Sequence, residues 1–158
     1  MRAVLSPAAY RAAWEHLGLG AMPIVLYVDA GDEDVRELDP WLVDALKVIA
    51  NPALSVDVRI GFGSTKISAL ATGNVLAVLT RDTMTISEHD DPVGELVGLL
   101  PAGDDVRAQF GAAVVDAGGR RHRAADVVDW ASRDGITQET LKARIGDMVD
   151  AIRSIVDK

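Results

Sequence analysis

The amino-acid sequence predicts an α+β protein in which an antiparallel β-sheet, a meander plus a hairpin, packs against helices. Residues 54–62 alternate strictly between apolar and polar side chains, which is typical of a strand with one buried face. Three further short strand patterns follow with tight connections, as expected for antiparallel neighbours. Helical patterns stand before and after this run, and the order α-β-α-ββββ-α-ββ-α is typical of the α+β class.

The first helix is predicted to begin after Ser6, with Pro7 at the favoured first helical position, and to stop at Gly18. Its buried stripe is predicted from residues at helical spacing: Tyr10, Trp14 and Leu17. The apolar, β-branched run 23–28 predicts a strand, and the acidic, glycine-containing stretch 29–34 predicts a loop.

The second helix is predicted to begin at the Asp39–Pro40 pair and to end at Asn51–Pro52. Its apolar face consists of Leu42, Leu46 and Ile49, with Trp41, Ala45 and Val48 beside it. The four strands of the meander are predicted at 54–62, 66–72, 75–80 and 83–88. The alternation in the first of them predicts one solvent-exposed face.

A third helix is predicted from Asp91–Pro92 to about residue 100, followed by a short linker at 102–105. Residues 109–116 and 120–130 flank a glycine-containing turn and predict a β-hairpin. Thr137 is predicted to cap a final helix with a wide apolar face that extends to about Val156.

Composition places limits on the function. The 158 residues are enough for one domain, 1–158, with a true core. The net charge of −8 repels phosphate, so we expect neither nucleic acid nor an anionic membrane as a partner. There is no cysteine, no apolar run long enough to span a membrane and no signal-peptide pattern. The sequence therefore predicts a cytoplasmic protein.

The three histidines are the first candidates for catalysis or metal binding. His16 is predicted on the solvent side of the first helix, where a plain surface role is favoured. His89, Asp90 and Asp91 could contribute metal ligands, but the same segment makes a good helix entry, which we favour. His122 lies in the basic run 120–123, which could contact an acidic partner or form the solvated rim of a hairpin neutralised by nearby carboxylates.

Other chemical motifs are weak. The run 61–66 superficially suggests a phosphate loop, but it joins two predicted strands and lacks the required glycine-lysine-hydroxyl ending. The hydrolase and zinc-protease motifs do not occur. We therefore expect no enzyme, no cofactor and no metal site. Trp14 and Trp41 are predicted core residues, whereas Trp130 is the best candidate for an interface.

Four segments, taken together, resemble one known family. Residues 14–23 read W-E-x-L-G-L-G-x-x-P, and 38–52 contain a D-P element that ends in A-x-P. Residues 96–101 end in leucine-leucine-proline, and 109–130 resemble a Q-F-G…D-x-x-G-R-R-x-R…W segment. In these motifs the chain resembles the EspG family, cytosolic adaptors of type VII (ESX) secretion in actinobacteria.

The chain is shorter than typical EspG proteins, which contain two similar halves. Residues 1–101 resemble the first half, and 106–158 are interpreted as a reduced second half. After Trp130 the family's usual F-D-T and G-R-Y elements are replaced by residues 131–135, Ala-Ser-Arg-Asp-Gly. Because a half-sized relative could restore the family's internal pseudo-two-fold symmetry by pairing, the resemblance also predicts a homodimer.

The resemblance implies a non-enzymatic chaperone that binds PE–PPE heterodimers and covers the aggregation-prone tip of the PPE protein. It implies that binding involves a hairpin loop of the sheet and the last helix. The corresponding partner-binding residues here are Gly63, Ser64, Thr65, Lys66, Met148 and Ile152, with Trp130 added as an interface candidate. Two alternatives remain: a homodimeric scaffold or regulator that has lost PE–PPE binding, and a small-molecule binder or enzyme.

Overall fold

The computed structural model describes residues 1–29, 37–62, 65–99, 108–118, 120–129, 143, 145–151 and 154. Within these ranges the strands are β1 (Arg2–Leu5), β2 (Leu54–Phe62), β3 (Thr65–Thr72), β4 (Val75–Leu79), β5 (Met84–Glu88), β6 (Ala108–Asp116) and β7 (Arg121–Asp129). The helices are α1 (Pro7–His16), α2 (Pro40–Ala50) and α3 (Pro92–Val97). Residues 145–151 are also helical.

The seven strands form one antiparallel sheet in the order β1-β5-β4-β3-β2-β6-β7. The meander from β2 to β5 lies at its centre, β1 pairs with the outer side of β5, and the β6–β7 hairpin extends the sheet beyond β2. This arrangement confirms the predicted α+β class, with its antiparallel meander and hairpin packed against helices.

The predicted first helix is confirmed. The Ser6 hydroxyl accepts a hydrogen bond from the Ala9 amide at 3.1 Å, so it caps the helix that begins at Pro7. Gly18 follows the helix with a φ of 63°, a backbone conformation that glycine adopts without strain. Tyr10 and Trp14 are buried and meet edge to face, with ring centroids 5.9 Å apart.

The strand predicted at 23–28 is wrong, because Ile24–Leu26 form a 3₁₀ turn. The amide of Leu26 donates to the Pro23 carbonyl at 3.0 Å, which closes the turn. Val25 and Leu26 are buried whereas Ile24 and Tyr27 are exposed, a pattern without the period of two that a strand needs. Residues 30–36, which include all of the predicted loop 29–34 except Asp29, lie outside the described residues.

Strand β1 was not predicted from the sequence. Its four residues are too few to establish a pattern, and it is defined by pairing with β5, where Arg2 stands opposite Ser87 and Leu5 opposite Met84. The amino-terminal residues therefore belong to the sheet edge as well as leading into α1.

The second helix and the meander are confirmed. The Asp39 carboxylate accepts a hydrogen bond from the Trp41 amide at 2.8 Å, which caps α2. Between β3 and β4, Gly73 has a φ of 57° and Asn74 a negative φ. A glycine in this first turn position fits the type II′ turn, whose twist matches that of a two-residue hairpin.

The sheet has a hydrophobic core on each face. The first-face core joins α1, the 3₁₀ turn and α2 to the residues of β3, β4 and β5 that point towards them: Leu70, Val75, Ala77, Met84 and Ile86. The second-face core joins Leu96 of α3 and Ile145 of the last helical segment to residues of four strands, β2, β3, β4 and β6: Val56, Val58, Ile60, Ala69, Ala71, Leu76 and Val114. The sheet is thus covered by helical elements on both sides.

The exposed face predicted for β2 is partly wrong. Ser55 and Asp57 are buried, and only Arg59 of the polar residues in this strand is exposed. Both buried residues lie on the first face of the sheet, since Asp57 stands opposite Leu70 of β3. The strict alternation therefore correctly separated the two faces but did not reveal that both are covered.

The carboxyl-terminal elements are described in part. Helix α3 ends at Val97, earlier than predicted, and its cap is the Asp91 carboxylate, which accepts from the Gly94 amide at 3.1 Å. The predicted hairpin is confirmed by β6 and β7, whereas the linker at 102–105, Trp130 and the Thr137 cap lie outside the described residues. Among the described residues, no helix combines the length and apolarity that a membrane crossing needs.

Candidate protein-interaction surfaces

The partner-binding residues predicted near the β2–β3 connection lie at one end of the sheet. Lys66 is exposed on β3, opposite Gly61 of β2, and Thr65 is the first residue of that strand. Gly63 and Ser64 lie outside the described residues. Because the connection joins two strands, the run 61–66 does not have the strand-to-helix geometry of a phosphate loop.

The binding residues predicted near the end of the chain are placed differently. Met148 is partly buried and packs against the second-face core, beside Val149. Ile152 and Trp130 lie outside the described residues. The described part of this group therefore helps to cover the sheet, and its role in binding stays a prediction.

The two tryptophans predicted in the core are both packed there, to different depths. Trp14 is buried, and its indole nitrogen donates a hydrogen bond to the Gly20 carbonyl at 2.8 Å. Trp41 is half-buried against the first-face core, and its indole nitrogen donates to the Glu88 carboxylate at 3.1 Å.

His89 lies at an open polar depression of about 620 Å³. Its lining consists of Met1, Asn74, Glu88, His89, Asp90, Asp91 and Glu95. Several of these groups have structural partners. The His89 ring is 2.8 Å from the Ser87 hydroxyl, and the Glu88 carboxylate also accepts a hydrogen bond from the side-chain amide of Asn74 at 2.9 Å. Asp91 caps α3.

The depression has the composition but not the arrangement of a metal site. In the part of the chain that the structure describes, no group of three or more histidine, aspartate or glutamate side chains is placed to hold a metal ion. His16, the other weak candidate, is exposed at the end of α1. The geometry favours the helix-entry interpretation of residues 89–91.

A partly buried ion pair connects the β6–β7 hairpin to β2. The Arg121 guanidinium donates to the Asp57 carboxylate at 3.2 Å, and the Ser55 hydroxyl donates to the same carboxylate at 3.1 Å. Asp57 is 5% exposed, whereas the Arg121 side chain is 45% exposed. The pair therefore has one buried end and one end in contact with solvent.

Burial dominates the electrostatics of Asp57. Removal from water raises the pKa of its carboxyl above the ordinary value of 3.8, although Ser55, Arg121 and Arg59 each act to lower it. A raised pKa means that these partners compensate the desolvation of the charge only in part. Sequence reasoning missed this residue, and its one signal was an aspartate in the middle of a strongly patterned strand.

For the basic run at the β6–β7 turn, the structure favours the second of its two interpretations, the solvated rim of a hairpin neutralised by nearby carboxylates. Asp116 accepts hydrogen bonds from the amides of Gly118 and Arg120, each at 3.0 Å, and lies 3.2 Å from the His122 ring. The hydrogen bond with His122, followed by the one from the Arg120 amide, lowers the pKa of the Asp116 carboxyl. Asp116 and Asp57 are the neutralising carboxylates, while Arg120 remains exposed.

Fold and surface together describe an α+β protein whose described polar clusters serve capping, pairing and packing. The sequence profile of the EspG family matches residues 29–107, which is half of the chain and includes α2, the meander and α3. The chain belongs to the EspG family. No curated protein matches it.

Proposed function

We propose that this protein is a cytosolic adaptor of a type VII (ESX) secretion system that binds PE–PPE-type substrates and keeps them soluble for export. The observation that carries the proposal is the family match over residues 29–107, because the EspG family is a chaperone-type family. The match covers the whole central meander rather than a short motif, so the relationship extends to the central strands of the sheet.

The physical properties of the chain support a masking role. An exposed apolar patch on a secretion substrate aggregates unless a soluble partner covers it. A partner with a net charge of −8 keeps such a complex dispersed through mutual repulsion between complexes. Binding and release of this kind need complementary surfaces and no catalytic group.

We place the substrate-binding surface at the β2–β3 connection and along the last helical part of the chain. Its proposed members are Gly63, Ser64, Thr65, Lys66, Met148 and Ile152, with Trp130 as a further contact. The exposure of Lys66 at the end of the sheet supports the first part of this assignment.

We also propose a two-part organisation, with residues 1–101 corresponding to the first half of the family and 106–158 to a reduced second half. The end of the family match at residue 107, just before β6, supports a boundary in this region. We further propose that two copies pair through one self-complementary interface, which would restore the pseudo-two-fold symmetry that the resemblance implies.

The first experiment is affinity purification of the tagged protein from its native host, followed by mass spectrometry. A PE–PPE pair recovered in stoichiometric amount supports the adaptor. Lys66→Glu is expected to reduce that recovery because it reverses the charge at the proposed site. Lys47→Glu is the matched control, since Lys47 is exposed on α2, and it is expected to leave recovery unchanged.

The alternative function is a homodimeric scaffold or regulator that has lost PE–PPE binding. Recovery of the protein alone, together with dimers in light scattering at micromolar concentration, would support it. A strictly monomeric protein over that concentration range would rule out the scaffold and also the proposed homodimer.

A further inference from the structure

We propose that one side of the sheet is a second protein-binding surface, which takes an acidic, amphipathic segment of a partner protein. We call it the cationic face and define it by Ile24, Tyr27, Arg59, Lys66 and Arg121. Lys66 is shared with the proposed substrate-binding surface, whereas the other four residues are not. The proposal does not depend on PE–PPE binding, because it rests on the exposure and charge of these five residues and its test leaves Lys66 unchanged.

Two of the five residues supply apolar area. Ile24 is 70% exposed and Tyr27 is 57% exposed, whereas Val25 and Leu26 between them are buried in the first-face core. The buried pair fixes the 3₁₀ turn on the sheet, so the exposed pair is presented on an anchored element. The Arg11 guanidinium lies 5.7 Å from the centre of the Tyr27 ring, which further positions the aromatic ring.

The three cationic residues lie on the same side of the sheet as this turn. Asp57 stands opposite Leu70, which belongs to the first-face core, and Arg59 follows Asp57 by two residues on the same face. Lys66 stands opposite Gly61, so it is the diagonal neighbour of Arg59 on the adjacent strand. Arg121 reaches the same face through its bond to Asp57.

The positive charge of this face is only partly neutralised. In the described part of the chain, Arg59 and Lys66 are exposed and form no ion pair. The carboxylate on this face of β2, Asp57, is already engaged, since it is buried beneath Arg121. The 3₁₀ turn contacts β2 and β3, the strands that carry these two unpaired cations, whose charge contrasts with the overall charge of −8.

These properties favour one kind of binding partner. Tyrosine and arginine are enriched where proteins bind each other, and a cationic rim complements carboxylates. A second copy that met this face across a two-fold axis would bring like charges together, which is unfavourable. A nucleic acid has no aliphatic side chains to cover the exposed Ile24. An acidic segment with apolar side chains complements both the cationic and the apolar residues of the surface.

The test measures the affinity of the full chain for a fluorescent synthetic peptide that repeats Glu and Leu, with a Lys–Leu peptide of equal length for comparison. We expect the Glu–Leu peptide to bind, and its affinity to fall as salt is added. Arg59→Glu and Ile24→Ser are each expected to weaken binding by about tenfold, which corresponds to about 1.4 kcal/mol.

Arg2→Glu is the matched control, because Arg2 is exposed on the edge strand β1 and stands opposite Ser87, which in turn stands opposite the second-face core residue Leu76 of β4. It is expected to retain wild-type affinity, and thermal unfolding verifies that each variant is folded. Equal binding of the two peptides, no binding of the Glu–Leu peptide, or equal losses in Arg59→Glu and Arg2→Glu would overturn the proposal.

Discussion

At the scale of single residues, the buried polar atoms of Tyr10 and Trp14 differ in whether they form a hydrogen bond. The Trp14 indole nitrogen donates to the Gly20 carbonyl, whereas the Tyr10 hydroxyl has no hydrogen-bond partner within the described residues. Burial, opposed by the nearby Arg11 charge, raises the pKa of Tyr10. An unpaired buried hydroxyl opposes folding because it loses its hydrogen bonds to water.

Tyr10→Phe is therefore expected to increase the free energy of unfolding by about 1 kcal/mol. The substitution removes the unpaired hydroxyl and keeps the ring that packs edge to face on Trp14. Urea denaturation measures the change. Trp14→Phe is the comparison and should destabilise, since it removes a satisfied hydrogen bond and leaves a cavity. A loss of stability in Tyr10→Phe would show that the hydroxyl has a partner.

Asp57 and Arg121 provide a second prediction, based on the asymmetry of their pair. Arg121→Ala is expected to lower the free energy of unfolding by about 1–2 kcal/mol at neutral pH, because it leaves a buried carboxylate without its cation. Asp57→Asn should be at least as stable as the wild type, since the pKa of Asp57 is raised. Combining the two substitutions should restore most of the stability lost in Arg121→Ala.

The same pair predicts a pH dependence with a defined sign. A raised pKa means that folded Asp57 holds its proton more tightly than the unfolded chain does. Relative to Asp57→Asn, the wild type should lose stability as the pH rises from below 3.8 through the raised pKa, and then level off. Urea titrations of both proteins at a series of pH values measure the difference. The opposite slope would mean that ion pairing outweighs burial.

At the scale of elements, a helix or strand could be predicted where its own residues specify it. The starts of α1, α2 and α3 were predictable because each has a side-chain cap followed by proline. The Ile24–Leu26 turn was not predictable. A short apolar, β-branched run can form either a strand or a turn that buries two of its residues, and composition alone does not distinguish them. Strand β1 is defined by its distant partner β5 rather than by its own sequence.

The turn at Gly73 gives a prediction for an element. An alanine Cβ at this position would meet nothing within 4 Å, so any effect of Gly73→Ala comes from the positive φ. We expect a loss of about 1 kcal/mol in the free energy of unfolding. Thermal unfolding measures it, and Gly61→Ala is the control, because Gly61 also has open space but no positive φ. Equal effects of the two substitutions would contradict the prediction.

At the scale of the whole molecule, the sequence indicated which residues are apolar but not how they are shared between two faces. Val56, Val58 and Ile60 were predicted to be buried, and they are. Their partners across the second face, Leu96 and Ile145, come from segments far along the chain, and no local pattern specifies such an association. The cationic face was hidden for the same reason, because Arg121 meets Asp57 across 64 positions of sequence.

Ile145 tests how far the last helical segment supports the fold. It is fully buried in the second-face core, so Ile145→Ala is expected to lower the free energy of unfolding by about 3 kcal/mol through lost burial and the cavity left behind. Asp147→Ala is the control, because Asp147 is exposed on the same segment. Urea denaturation distinguishes them, and a similar small effect in both would show that the segment adds little to the core.

The contribution of Ile145 to the second-face core also has a consequence for biosynthesis. A ribosome releases the meander long before it translates residue 145, so Val56, Val58 and Ile60 emerge without that part of their cover. During this interval the nascent chain exposes an apolar face of the kind that recruits general chaperones or associates with other chains. A protein proposed to shield the apolar surfaces of others would thus need shielding itself until its last helical turns have left the ribosome.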